Sequence, residues 1–151
     1  PHIANERKRS FTTKFLFVVI GISFLISLCM FILAPLANDL FARGALPESI
    51  TLIRIASISV FFAGIDVYMG APILVSFGYF KPFNTSVFLA TIVLVLACLV
   101  LYLTNNITYL SFIIAFVLAE ITTTVYRFYY CKKLKLIDFS LLYKESKKGT
   151  N

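Results

Sequence analysis

Four ionisable residues stand inside otherwise apolar stretches of this chain: Arg54, Asp66, Glu120 and Arg127. A charge at a bilayer centre costs about 2.5–3.5 kcal/mol on insertion scales, so such residues seldom face lipid. Glu120, Thr123, Thr124 and Arg127 recur at i, i+3, i+4 and i+7, the spacing of one helical face. Glu120 falls near the middle of its stretch, and Arg127 lies about two turns closer to its C-terminal end. Leu118, Ile121 and Val125 make the opposite face apolar. One reading is a wall of a hydrophilic path for an anionic or sugar-bearing substrate. The other has Arg127 snorkelling to the interface, the threonines bonding back to their own helix, and Glu120 pairing with a cation elsewhere.

Asp66 falls near the middle of its own stretch and shares a face with Ser59, Ala63 and Gly70. Small and polar groups in that pattern allow close helix packing or line a cavity. Asp66 and Glu120 are expected at similar depth, because their two spans run in the same direction. Two midplane carboxylates suggest a proton or cation coupling site. Arg54 points to a different face near the outer end of its span, where snorkelling is expected. Pro72 cannot donate to the carbonyl of Tyr68, so with Gly70 nearby a bend is expected there.

Other chemistry has little to work with. His2 is the single histidine, so Ser/His/Asp and HExxH arrangements lack a second player. No glycine-rich phosphate loop occurs, and an enzyme is not expected. Cys29, Cys98 and Cys131 are odd in number and form no CxxC pair, so they read as small buried hydrophobes and not as a metal site or disulfide framework. Asn106-Ile107-Thr108 matches a glycosylation sequon, a three-residue coincidence set against the membrane.

These residues need apolar elements to hold them. The chain is 60% hydrophobic, holds 16 Phe and is only 14% charged, against roughly a quarter charged in soluble domains. The surplus implies lipid as solvent, and continuous apolar runs imply helices of about 20 residues each. Four spans are expected, at about 15–34, 49–77, 84–103 and 107–130. They make an all-α membrane region over 15–130, between a cytoplasmic segment 1–14 and a basic tail 131–151. Pro35 should end the first span. A short amphipathic stretch, Leu36 to Glu48, follows it and contains Asp39, Arg43, Gly44 and Pro47. The segment from Gly78 to Phe83 should turn the chain into the third span.

The formal charge of +7 sits at span ends, so it is read as topology and excludes a nucleic-acid partner. Arg7, Lys8, Arg9, Lys14, Lys81 and the tail lysines 132, 133, 135, 144, 147 and 148 fall on one side of the membrane; Arg43 alone falls on the other. Both termini are therefore expected in the cytoplasm. Tyr102 and Tyr109 would mark the outer interface, and Tyr79, Tyr126, Tyr129 and Tyr130 the inner one. The chain begins at Pro1 without Met or signal peptide, which suggests a fragment lacking its upstream part.

The order of features resembles the multidrug/oligosaccharidyl-lipid/polysaccharide exporter superfamily, and within it O-antigen flippases of the Wzx type. Pro1-His2-Ile3-Ala4 is similar to the family element that follows an outward-to-inward helix. Ala34-Pro35-Leu36-Ala37, Leu40-Phe41, Glu48-Ser49-Ile50 and Leu52-Ile53-Arg54-Ile55 resemble a second stretch. The run from Gly70 through Pro72 and Gly78 to Lys81 resembles a third, although Tyr79-Phe80 precede the lysine and the glycine usual after Leu-Phe is displaced to Gly44. The resemblance spans about residues 1–130.

It implies a twelve-helix, two-lobe transporter of which this chain supplies the last four helices. The implied act is moving undecaprenyl-pyrophosphate-linked oligosaccharide units across the bacterial inner membrane for lipopolysaccharide biosynthesis, coupled to H+ or Na+ and needing no cofactor. Arg127 would meet the pyrophosphate at the cytoplasmic mouth of its stripe. Implied partners are the lipid-linked oligosaccharide, membrane lipids, the N-terminal helices of the same protein and the polysaccharide polymerase machinery. The alternatives are a drug or peptidoglycan-precursor exporter of the same superfamily, a membrane enzyme of polysaccharide assembly, and a self-standing four-span protein.

Overall fold

Long apolar runs become helices; Pro35 and Pro82 stand in the first turns of two of them, and Pro72 lies inside a continuous one. A computed structural model describes residues 2–42 and 48–137, with the side chains of 2–10 and of 42 outside the description. Helix α1 spans His2–Ile32, α2 Ala34–Ala42, α3 Glu48–Tyr68, α4 Phe80–Leu103 and α5 Tyr109–Lys133. A π-helical segment, Met69–Val75, continues α3 without a break. The described residues contain no strand. Four helical stretches, Phe11–Ile32, Glu48–Val75, Phe80–Leu103 and Tyr109–Lys133, are long and apolar enough to cross a membrane. The fold is thus that of an all-α integral membrane protein.

Pro35 acts differently from expectation. Its missing N–H interrupts the helix for one residue, Leu33, and the helix resumes as α2 with the proline in its first turn. Backbone bonds bridge the break, from Leu33 to Cys29 (2.8 Å) and from Ala37 to Leu33 (2.9 Å). Ser49 Oγ donates to Asn38 Oδ1 and ties α2 to the first turn of α3. Arg43, Gly44 and Pro47 of the expected amphipathic stretch lie outside the described residues, as do Lys144, Lys147 and Lys148. Segment 1–14 is no separate element: α1 runs through it from His2.

The joint before α4 is shorter than expected, and the joint before α5 is longer. Gly78 turns the chain at φ +81°, a left-handed value that favours glycine. Helix α4 then starts at Phe80, so Lys81 and Pro82 belong to its first turn. Between α4 and α5, Thr108 caps the last helix: its hydroxyl accepts from Ser111 N–H (3.1 Å), and Ser111 Oγ accepts from Thr108 N–H (2.9 Å). The Thr of the sequon therefore has a local structural use. Helix α5 begins two residues later than expected and runs on to Lys133.

Contacts run from α1 to α3, from α3 to α5 and from α5 to α4, and the π-helical segment packs on both α4 and α5. The spans accordingly form a layer in the order α1–α3–α5–α4. Lipid tails are as apolar as leucine, so helices associate through close packing and hydrogen bonds. The α1–α3 seam uses both. Gly64 lies against Ser23, Ser27 Oγ donates to the Ser57 carbonyl (2.5 Å), and Tyr68 OH donates to the Thr12 carbonyl (3.2 Å). Leu16, Ile65, Met69, Ile73, Leu74 and Cys131 form a buried cluster at the end of the layer that carries Lys132 and Lys133. Of the cysteines expected to be buried, Cys131 is buried, Cys98 half-buried and Cys29 exposed.

A Cβ at position 64 would overlap the Ser23 side chain. Gly64→Ala should lower stability by about 1–3 kcal/mol in detergent unfolding, and adding Ser23→Gly should restore most of the loss. An unchanged unfolding midpoint in Gly64→Ala would mean that α1 and α3 stand farther apart.

Candidate transmembrane polar site

Helices α3 and α5 run in the same direction, which brings Asp66 and Arg127 to one level. Arg127 Nη1 donates to Asp66 Oδ2 at 2.9 Å and to the Asp66 carbonyl at 3.0 Å. Its Nε donates to Ser86 Oγ on α4 at 2.7 Å. That hydroxyl in turn donates to the Phe83 carbonyl at 2.6 Å, so both of its roles are used. The guanidinium lies 4.7 Å from the Phe83 ring centroid, a cation–π contact. One side chain thereby joins three membrane-spanning helices.

The pair is hidden from solvent and lipid alike. Arg127 is 5% exposed, Asp66 8% and Ser86 0%. Gly70, one turn below Asp66, makes the room: a Cβ there would come 3.0 Å from Phe83 and 3.1 Å from the guanidinium carbon. The π-helical winding starts beside it. Pro72 has no N–H for the α-helical bond to Tyr68, and the chain responds by widening over Met69–Val75, where a bend was expected. Wide bonds continue beyond it, from Ser76 N–H to Ala71 (3.2 Å) and from Tyr79 N–H to Leu74 (2.8 Å).

The anticipated polar stripe is mostly a seam between helices. Thr123 donates to the Ala119 carbonyl (3.0 Å), and Thr124 donates to the Glu120 carbonyl (2.9 Å) and across to the Phe62 carbonyl on α3 (3.3 Å). Both threonines are buried. Arg127 is neither snorkelling nor at an open mouth, as its burial and four-way contacts require a correction of that expectation. Asp66 finds its counter-charge within this chain, on α5.

Glu120 is half-buried and lies within electrostatic reach of both Arg127 and Asp66. Among the described residues its carboxylate makes no hydrogen bond. Asp66 Oδ1 is buried and likewise lacks a partner among the described residues. The site thus holds two carboxylates and one guanidinium, with acceptor capacity left over on the acidic side. Arg54 stays outside it: exposed, it sits over Phe31 of α1, 5.2 Å from the ring centroid. Of the small face on α3, Asp66 and Gly70 enter the site, whereas Ser59 bonds its own helix at Ala56 (2.7 Å).

Phe83, Ser86 and the role of Gly70 escaped the sequence reading. The available signal was Ser86 itself, a small hydroxyl one turn into an apolar span at the same end as Arg127.

Removing one partner of a buried ion pair strands the other charge and costs about 3–5 kcal/mol, while replacing both by apolar groups is often neutral. Arg127→Met and Asp66→Leu should each destabilise on that scale in detergent unfolding, and the double variant should recover most of the loss. Strictly additive losses would contradict the pairing. The chain matches no protein-family model, no curated protein and no solved structure, so what this site does is read from its own geometry.

Proposed function

We propose that the chain forms part of an ion-coupled exporter that flips undecaprenyl-pyrophosphate-linked oligosaccharide units across a bacterial inner membrane, in the manner of O-antigen flippases. The chain would be the last four helices of a twelve-helix protein, with the lysine-rich end in the cytoplasm. The observation that carries the reading is Asp66 Oδ1, a buried carboxylate oxygen without a partner among the described residues, held at an ion pair between membrane-spanning helices and within reach of Glu120.

A site of this composition suits coupling. With both carboxylates ionised, it carries one net negative charge in a low-dielectric setting, which favours uptake of H+ or Na+. Cation binding at Asp66 competes with Arg127 for the same carboxylate and loosens the tie between α3 and α5. Loosening lets the helices change packing, the step a transporter needs to expose its site to alternate sides. In this account Arg127 is the counter-charge that holds the resting packing. It reaches a pyrophosphate only when the pair opens.

The test is flipping of lipid-linked oligosaccharide by the full-length protein in proteoliposomes under an imposed ion gradient. Asp66→Asn and Glu120→Gln should each cut gradient-driven flipping by about tenfold, equivalent to about 1.4 kcal/mol of barrier. Arg127→Ala should lower flipping with normal membrane insertion, and Arg127→Lys should keep part of it. Wild-type rates and ion dependence after neutralising both carboxylates would rule the coupling role out.

A further inference from the structure

Asp66 and Arg127 bind α3 to α5 at one level, but their first turns leave a cleft between them. It measures about 1230 Å³ and lies at the end of the layer away from Lys132 and Lys133. Leu52 of α3 and Leu110, Phe112 and Ile113 of α5 form apolar walls. The space is larger than the roughly 300–1,000 Å³ of pockets for compact ligands, which suits a long flexible chain. Apolar walls give water no partners, so hydrocarbon is the natural filling.

The polar rim has one sign. Glu48 and Thr51 line it, and Glu48 is the single charged lining residue. Among the described residues no cation pairs with the Glu48 carboxylate. Both walls are fixed before anything binds: Ser49 is tied to Asn38 of α2, and Thr108 and Ser111 cap α5 reciprocally. A carboxylate at the end of a membrane-spanning helix attracts an ammonium and repels a headgroup whose net charge is negative.

We infer that this cleft seats a bilayer phospholipid bearing a primary ammonium headgroup, an ethanolamine phospholipid. Its acyl chain runs along Leu52, Leu110, Phe112 and Ile113, and its ammonium donates hydrogen bonds to Glu48. A choline headgroup has a cation but no N–H to donate, and a glycerol headgroup has no cation. Neither satisfies Glu48 in this way.

The experiment places the full-length protein in nanodiscs containing ethanolamine, choline and glycerol phospholipids in equal parts, then reads the retained lipid by native mass spectrometry. Wild type should retain the ethanolamine lipid over the other two by about three- to fivefold, the scale of an exposed charge pair. Glu48→Gln should remove that preference without reducing total retained lipid, and Glu48→Asp should keep most of it. Ile113→Trp, which fills the cleft, should reduce retention of all three lipids. Glu48 is exposed, so its variants keep the fold and carry the test. Equal retention by wild type, or a preference that survives Glu48→Gln, overturns the inference. So does a disulfide-linked dimer through Ile113→Cys, because a second chain would then occupy the cleft.

Discussion

An ionised pair sunk in apolar helices constrains everything around it. Neither charge is tolerable alone in hydrocarbon, so Asp66 and Arg127 must meet, and they can meet only if α3 and α5 lie side by side in register. Ser86 and Phe83 then have to bring α4 to the same level, because a guanidinium bonded on one edge still needs partners on the others. Three of the four spans are positioned by this one requirement. The fourth, α1, is held instead by small residues and hydroxyls, through Gly64, Ser23 and Ser27.

The backbone adjusts to the same constraint. A β-carbon at position 70 would collide with the guanidinium, and an α-helical turn through Pro72 would leave a carbonyl without its donor. The π-helical segment meets the second difficulty and follows directly on the ion-paired turn. Widened turns of this kind recur at functional sites. Here the widened turn joins the charged level to the buried cluster of Met69, Ile73, Leu74 and Cys131, so the ion pair borders packed side chains and not a loose loop.

Much of the architecture was legible in the residues. Uninterrupted apolar runs are a strong signal, and the four spans emerged with bounds shifted by a few residues at most joints. The shifts have local causes. Pro35 and Pro82 begin helices as readily as prolines end them, and Thr108 with Ser111 builds a cap that a bare hydropathy reading passes over. The polar stripe on α5 was correctly placed on one face, but its environment was not legible. Helical periodicity says which residues point together; it does not say whether they meet water, lipid or another helix. Arg127 is the clear case: its position near a span end fits snorkelling, and only the presence of Asp66 at matching depth on a parallel helix turns it inward.

The central claim is that Arg127 is bound to Asp66 within the membrane and not to headgroups at its surface. Magic-angle-spinning NMR of the protein in phospholipid bilayers measures this directly. Dipolar recoupling between the Arg127 guanidinium nitrogens and the Asp66 carboxyl carbon should report direct contact, matching the 2.9 Å separation of Nη1 and Oδ2. No such coupling, together with transfer from Arg127 to lipid phosphorus, would place the side chain at the interface and contradict the account.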